Sequence, residues 1–285
     1  MAIGTRAFTC VAAILPLFAA ACGTGDHGRP PTLENHPLAA PQATQYTFPS
    51  RWAGDYSFQW STADGIELNT PAATVVRAFA ESKRLAMSVG ARLAYPGYAD
   101  AVADVDWLRV PAGGAYPPGA DEGNWSLRWS GTFRARIIDL RPDADGYRTV
   151  YCLDANDVAD SADGGATYRW RRPGDRREQP RGRPVWLAFE PETPMLPPHS
   201  TEIATAATGP DRAPHYNVFD GWHITDVWGP SPRVAEESYM VDECADWTRA
   251  SPRRNPIDID SAERTAIAAP PPEPEPPIPG WPAET

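Results

Sequence analysis

The densest group of oxygen-bearing side chains lies between residues 153 and 166. Its members are Asp154, Asn156, Asp157, Asp160 and Asp163. Carboxylate and amide oxygens are the ligands that Ca²⁺ prefers, and Gly164-Gly165 would let the chain turn around an ion. The spacing departs from that of an EF-hand loop, because its fifth position would be Val158. Acidic, glycine-rich segments between strands are commonly turns, so we predict an acidic turn with no metal and no other cofactor.

A second candidate for chemistry is His223, which lies on an expected strand. In an apolar cavity a histidine or a carboxylate acts as a general base, with a pKa moved by desolvation. Asp226 lies three positions later, so its side chain would point to the opposite face and form no direct dyad. Motifs for a nucleophile elbow, a zinc protease, a paired-cysteine site or a P-loop are missing. His223 is therefore the one catalytic candidate, a hydrogen-bonded structural histidine is the favoured interpretation, and an enzyme is the less favoured function class.

The four cysteines, Cys10, Cys22, Cys152 and Cys244, have different expected fates. Apolar residues 7–21 match the core of an export signal and are shorter than the roughly 20 residues of a membrane-spanning helix. Cys10 would leave with this signal, so three cysteines would remain. Exported proteins normally avoid an odd free thiol, because oxidising compartments pair or modify thiols. If Cys22 is modified, Cys152 and Cys244 are left as one pair, and we predict a disulfide between them.

The residues before Cys22 resemble the signal of a bacterial lipoprotein of the actinobacterial type. In that motif an apolar residue and two small residues precede the cysteine that receives diacylglycerol. Ala19-Ala20-Ala21 occupy these positions, with Ala19 in place of the usual leucine. The resemblance implies a signal peptide over residues 1–21, acyl chains such as palmitate on Cys22, and anchoring on the outer face of the cell membrane. An ordinary secretory cleavage site, which would give an unanchored protein, is the alternative.

Charge and composition also favour an exported domain between two polar ends. The net charge is −11, and phosphate binding needs a basic face, so no nucleic-acid partner is expected. Residues 22–50 are polar and rich in Gly and Pro, which indicates a flexible tether. Residues 257–285 are acidic and Pro-rich, which predicts polyproline II or disorder. The expected globular domain is therefore residues 51–256.

Two helices are expected early in this domain. Apolar residues recur at helical spacing from residue 71 to 89, Thr70 is a suitable N-cap before Pro71, and Gly90 ends the pattern. A shorter helix is expected within residues 95–107, where Asp100 and Asp104 would share its polar face.

The strongest strand pattern runs from residue 125 to 137, where apolar and polar residues alternate strictly. Gly131 is a natural place for a bend in so long a strand. Asp145-Gly146 predicts a turn, followed by an antiparallel strand over residues 147–153 that carries Cys152. Further strands are expected at residues 166–172 and 184–190 and on both sides of Asp220-Gly221.

Helices followed by long antiparallel strands resemble the NTF2-like cone, over about residues 71–230 and in element order alone. The resemblance implies an α+β fold in which N-terminal helices pack on a curved antiparallel sheet and leave a pocket; a β-barrel or a β-sandwich is the alternative. In a cone, strand aromatics would line the pocket and bind an apolar or sugar ligand, whereas otherwise they form core. The pocket candidates are Trp125, Trp129, Phe133, Tyr151, Tyr168 and Trp222.

A basic segment stands out in this acidic chain. Residues 169–183 hold seven arginines against Asp175 and Glu178, a net charge of +5. Such a loop would suit anionic lipid headgroups or phosphate-bearing wall polymers. Pairing with the acidic remainder of the domain is the favoured alternative. The interaction candidates are Arg171, Arg172, Arg176, Arg177 and Arg181.

These features together predict a lipid-anchored envelope protein that serves as a non-catalytic binding or interaction module. Its expected partners are the membrane, through lipid on Cys22, and an envelope protein, lipid or wall polymer. One alternative is a small-molecule enzyme of the NTF2-like class. Another is a structural envelope protein that contacts its partner through the Arg-rich loop.

Overall fold

A long antiparallel hairpin forms the centre of the sheet. The computed structural model describes residues 46–105, 126–171, 182, 184–192, 208–229, 237–257 and 262–283. Strand β2 (Arg128–Pro142) pairs with β3 (Tyr147–Ser161) through a turn at Asp143–Gly146, as the sequence predicts. Because apolar and polar residues alternate along β2, its two faces contact different layers of the protein.

Gly131 lies directly beside the backbone of β3. Its backbone has φ +115°, and a Cβ atom at this position would lie 2.1 Å from the carbonyl oxygen of Asp157. The pairing register with β3 shifts between Thr132 and Arg134. The irregularity expected at Gly131 therefore lies one to three residues after it, while the glycine itself allows a positive φ and the close approach of the β3 backbone.

Five more strands extend the hairpin into a seven-stranded mixed sheet within the described residues. The additional strands are β1 (Gly54–Thr62), β4 (Arg169–Arg171), β5 (Pro184–Pro191), β6 (Trp222–Trp228) and β7 (Thr265–Ile267). The strand order is β1-β2-β3-β4-β7, while β5 pairs with the first half of β3 and β6 pairs with β5. The sheet is open rather than closed into a barrel.

Four α-helices lie on the two faces of the sheet within the described residues. They are α1 (Ser50–Ala53), α2 (Pro71–Val89), α3 (Tyr98–Ala101) and α4 (Tyr239–Ala250). Helix α2 begins as predicted, with the hydroxyl of Thr70 accepting a hydrogen bond from the amide of Ala73, and it ends at Gly90. The second expected helix is reduced to α3, whereas α4 was not expected.

The inner face of the sheet carries the main core. Tyr56, Phe58 and Trp60 of β1 and the alternating aromatics of β2 pack against α2, which is buried along almost its whole length. On the outer face, Met240 of α4 packs against Val150 and Trp186. The predicted disulfide is confirmed: Cys152 of β3 is bonded to Cys244 of α4, with 5.3 Å between their Cα atoms.

The α+β class is confirmed, but the sheet is not wholly antiparallel. Strand β1 pairs with β2 in parallel, from Gly54 beside Trp129 to Thr62 beside Ile137. A parallel neighbour requires a crossover connection, and the chain between β1 and β2 contains α2 and α3. The expectation of an antiparallel sheet was therefore wrong at this strand.

The acidic stretch is strand rather than turn as far as Ser161. The carboxylates of Asp154, Asp157 and Asp160 all lie within β3 and are buried. The turn begins only after Ser161, at Gly164-Gly165. The acidic composition suggested a loop, but the pairing with β2 continues to Ser161, which lies beside Arg128, and carries these residues into the sheet.

The hairpin expected around Asp220-Gly221 has only its second strand. Residues 215–221 form turns instead, in which Asn217 accepts a hydrogen bond from the amide of Phe219. Phe219 packs on Tyr98 of α3, with 5.8 Å between their ring centroids. The apolar side chains before the turn therefore fill the core from a loop.

The prediction for residues 257–285 was polyproline II or disorder, and the packing of residues 262–283 on the domain contradicts disorder there. Residues 268–283, here called the strap, cross the outer face of β1 and β2 and then enter the inner core. Trp281 is only 1 % exposed. At the other boundary, the described residues begin at Tyr46, and Tyr46 and Phe48 pack on the core that was expected to start at residue 51.

Candidate functional site

Hydroxyl side chains on the outer face of β1 and β2 hold the first half of the strap. Ser57 donates to the carbonyl of Glu275 over 2.6 Å, and Ser130 donates to the carbonyl of Pro272 over 2.8 Å. The amide of Glu275 in turn donates to the hydroxyl of Thr132. Proline has no N–H, so a Pro-rich chain presents chiefly carbonyl acceptors. The alternating polar residues of the two strands supply the donors it needs.

The middle of the strap adds to the edge of the sheet. The amide of Ile278 donates to the carbonyl of Phe58, and the carbonyl of Ile278 accepts from the amide of Trp60. These bonds form a parallel bridge between Gln59 and Ile278. The strap thus satisfies backbone groups of β1 that a bare sheet edge would expose.

The end of the strap places Trp281 against a buried carboxylate on α2. The indole Nε1 of Trp281 donates to Oε2 of Glu81 over 2.8 Å. The same carboxylate accepts from Nε1 of Trp60 and from the hydroxyl of Tyr95, both over 2.7 Å. Desolvation raises the pKa of Glu81, while Arg77 and the three donors act to lower it.

Arg77, one helical turn before Glu81, forms hydrogen bonds with the backbone of the strap. Its Nη2 atom lies 2.9 Å from the carbonyl oxygen of Pro279 and 3.3 Å from that of Gly280. The guanidinium also lies 4.5 Å from the ring centroid of Trp281. Burial lowers the pKa of Arg77, and the negative charge of Glu81 opposes that change. Arg77 and Glu81, which are both buried, therefore both form hydrogen bonds with the strap.

A cavity of about 330 Å³ lies beside the strap on the outer face. Its lining comes from β1, β2, the end of α4 with the residues after it, and the strap. The lining residues are Gln59, Trp60, Ser61, Arg134, Trp247, Ala250, Ser251, Pro252 and Ile278. Its volume falls at the small end of the range of about 300 to 1,000 Å³ for small-molecule sites.

The polarity of this cavity, here called the strap pocket, favours an uncharged ligand. Arg134 is the one ionisable residue in its lining. The Arg134 guanidinium is held by the buried carboxylate of Asp157 and, over 3.1 Å, by Oε1 of Glu275. Trp247 offers an aromatic surface, and Gln59 and serine hydroxyls offer hydrogen bonds. A ligand with a flat apolar face and hydroxyl groups around its edge would match these walls.

The aromatic residues predicted to line a pocket fill the core instead. Trp129, Phe133, Tyr151 and Trp222 are all buried in the cluster around α2. Arg84 lies over two of these rings, 4.9 Å from the ring centroids of Trp129 and of Phe133. Two other candidates lie elsewhere: Tyr168 packs in a separate cluster beside Trp170, and Trp125 lies outside the described residues.

His223 lies on the surface of β6, away from the strap pocket. Its side chain is 42 % exposed, and its Nε2 atom lies 3.6 Å from Oε1 of Glu192. The lining of the strap pocket includes neither His223 nor its partner Glu192. The position suits a surface histidine better than a desolvated base.

Two of the three buried acids of β3 are paired with arginines, while Asp154 accepts a hydrogen bond from the amide of Asn156. Asp157 faces Arg134 and Arg254, and Asp160 receives two hydrogen bonds from Arg171, at 2.8 and 3.1 Å. Within the described ranges, no group of three or more His, Cys, Asp or Glu residues could hold a metal ion. Arg171 of the basic segment is therefore paired with an acidic residue of the same domain, which is the alternative that we favoured for this segment. Cys22, Arg172, Arg176, Arg177 and Arg181 lie outside the described residues.

Sequence reasoning missed the polar residues that matter most in this structure. Arg77, Glu81 and Arg84 recur at helical spacing within an otherwise apolar pattern, which was the available signal for buried charge. Ile278 and Trp281 were the signal in the C-terminal region, because large apolar residues are unusual in a solvated acidic tail.

The part of the chain that the structure describes contains no helix long and apolar enough to span a membrane. No family model matches the chain, no curated protein matches it, and no solved structure matches it.

Proposed function

We propose that this protein is an exported, lipid-anchored binding module that holds a neutral sugar unit of an envelope polysaccharide in the strap pocket. The membrane anchor is diacylglycerol on Cys22. Residues 23–45 tether the domain to the outer face of the cytoplasmic membrane. The domain binds its ligand and catalyses no reaction on it.

The disulfide supports export and lipid attachment together. A bond between Cys152 and Cys244 suits an oxidising compartment. It also uses both cysteines that follow Cys22, so Cys22 is the one left to receive a lipid once Cys10 has left with the signal peptide. Replacing Cys22 by Ala should move the protein from the membrane fraction to the soluble exported fraction. Retention of the processed variant in the membrane would contradict the lipid anchor.

The composition of the strap pocket is the observation that carries the binding function. Trp247 is half-buried and can stack on the apolar face of a sugar ring. Gln59, Ser61 and Ser251 already donate hydrogen bonds within the protein, so their oxygens can accept hydrogen bonds from the sugar hydroxyl groups. Arg134 is neutralised by Asp157 and Glu275, so the pocket presents no free charge to an anionic ligand.

The NTF2-like resemblance stays a proposal: α2 lies on one face of the sheet, as a cone requires, but β1 pairs with β2 in parallel. A cone would hold its ligand on that inner face, but here aromatic side chains and Trp281 occupy it. We therefore assign the ligand to the outer face. The enzyme alternative is less well supported, because Glu81 already accepts three hydrogen bonds and His223 is exposed.

A sugar-binding titration tests this function. Neutral oligosaccharides of glucose, galactose, mannose and arabinose are titrated into the full-length protein, with calorimetry as the readout. We expect saturable binding to at least one series, and a loss of about tenfold or more in Trp247→Ala. The matched control is Trp52→Ala, since Trp52 is 38 % exposed and does not line the strap pocket. Equal affinity of both variants, or hydrolysis of the sugar, would contradict the proposal.

A further inference from the structure

We propose that the surface beneath the strap is a peptide-binding site that accepts, in trans, an extended Pro-rich peptide bearing a carboxylate six positions before a tryptophan. The chain's own strap occupies this site in cis, with Glu275 and Trp281 as the two side chains that are recognised. This inference does not require sugar binding, although Ile278 of the strap also lines the strap pocket.

Most contacts to the strap are made to its backbone. Ser57, Ser130 and Arg77 all donate to its carbonyl oxygens, and Gln59 lies 3.5 Å from the carbonyl of Pro276. Because the donors belong to β1, β2 and α2, they are positioned by elements outside the strap. Such contacts require an extended chain with free carbonyls, which Pro-rich segments adopt at low entropic cost. They do not depend on the side chains between the two recognised residues.

Two side-chain contacts give the site its specificity. At one end the carboxylate of Glu275 accepts from Nη2 of Arg134 and, over 2.8 Å, from Nε2 of Gln59. At the other end the indole of Trp281 lies between Glu81 and the guanidinium of Arg77. The spacing from Glu275 to Trp281 sets the length that a competing peptide must match.

The buried charges explain why the site needs an occupant. If the strap left, Arg77 would lose its carbonyl acceptors and Glu81 would lose one of its three donors. A peptide that supplies the same carbonyl acceptors and the same indole donor would restore these bonds, so it can take the place of the strap. A tethered strap competes at an effective concentration in the millimolar range, and it therefore acts as a built-in competitor.

The test converts the strap into a separable ligand after folding. A specific protease site is inserted after Ala262, in an exposed stretch, and the folded full-length protein is then cut there. A fluorescent peptide of residues 263–285 is added, and its uptake is followed by anisotropy. We expect saturable exchange with the cut protein and far weaker uptake by the uncut protein.

Variant peptides test the two recognised side chains. We expect Trp281→Ala to weaken uptake by about tenfold or more and Glu275→Gln by about threefold. The control peptide exchanges the positions of Glu275 and Trp281 and keeps the composition. In a second preparation the protein's own strap carries Trp281→Ala, so that the wild-type peptide has the advantage if the natural fragment exchanges slowly.

Two results would overturn the proposal. One is the absence of saturable uptake in both preparations, or equal uptake of the exchanged control peptide. The other is a concentration-dependent dimer of the cut protein that takes up no peptide, which would assign the site to a second copy of the chain.

Discussion

The indole of Trp281 donates a hydrogen bond of 2.8 Å to the carboxylate of Glu81, residues that lie 200 positions apart in the chain. This contact ties the C-terminus to the central helix. Because Glu81 also accepts from Trp60 and Tyr95, one carboxylate joins the strap, β1 and the segment after α2. The strap is therefore part of the folded domain and forms one wall of the strap pocket.

Removing the Trp281 side chain should destabilise the whole domain. We expect Trp281→Ala to lower the free energy of unfolding by about 3 to 5 kcal/mol, since a large buried ring is lost. Trp281→Phe keeps a ring but loses the donor, and should cost about 1 to 3 kcal/mol. Urea denaturation followed by circular dichroism measures both. If neither variant differs from Trp52→Ala by more than about 0.5 kcal/mol, the strap carries no stability.

Glu81→Gln should also be destabilising, although it changes few atoms. The amide retains one acceptor oxygen but turns donor hydrogens toward groups that are themselves donors, at a cost of about 2 to 4 kcal/mol. The exposed Glu67→Gln is the matched control. A double-mutant cycle of Glu81→Gln with Trp281→Phe should show coupling, because the two residues share a hydrogen bond. Strict additivity would mean that this bond contributes nothing measurable.

Asp154 should make stability fall as the pH rises. Desolvation, reinforced by the charge of Asp157, raises the pKa of Asp154 to about 6 from its ordinary value of 3.8. The folded protein therefore keeps this proton where the unfolded chain has lost it, and the resulting loss of stability develops between about pH 4 and pH 6.

Asp154→Asn removes this titration. Relative to wild type, the variant should gain up to roughly 3 kcal/mol between pH 4 and pH 8, as the shift in pKa implies. Urea unfolding at pH 4, 6 and 8 measures the gain, with the exposed Asp64→Asn as the control. A stability difference that stays constant with pH would show that Asp154 titrates normally.

The disulfide between Cys152 and Cys244 should stabilise the domain by about 2 to 5 kcal/mol. Replacing both cysteines by Ala should lower the free energy of unfolding by this amount. A reducing agent should destabilise wild type similarly and leave the double variant unaffected. Wild-type protein that is insensitive to reduction under denaturing titration would argue that the bond is absent.

Local patterns predicted the elements whose residues carry their own signals. Thr70, Pro71 and Gly90 mark the two ends of α2, and strict alternation with Gly131 marks β2. The parity of the cysteines predicted the disulfide. In each case the deciding property belongs to a short segment or to a count, and no distant partner is needed.

Elements that depend on distant partners were missed. Helix α4 buries only Met240, Cys244 and Thr248, so its apolar stripe is too narrow to stand out from a polar sequence. Proline content correctly excludes helix in the strap. It says nothing of the serine and threonine hydroxyls on β1 and β2 that fix the strap in place, because those lie far away in the chain.

The candidate site was missed for the same reason. The strap pocket joins residues from β1, β2, the end of α4 and the strap, which are brought together only by the complete fold. Most of the residues expected to line a pocket are instead buried in the core, because their alternation places them on the face of the sheet that α2 covers. Alternation predicts which residues share a face but not which face keeps a cavity.

Hydrogen exchange at the strap amides of the full-length protein tests most directly whether the strap is folded and forms the wall of the pocket. The amides of Glu275, Ile278 and Trp281 all donate hydrogen bonds in the structure. We expect these amides to exchange as slowly as the amides of β1, and we expect Trp281→Ala to speed their exchange more than it speeds exchange in β5. Strap amides that exchange at the rate of an unstructured peptide, while β1 remains protected, would contradict this expectation.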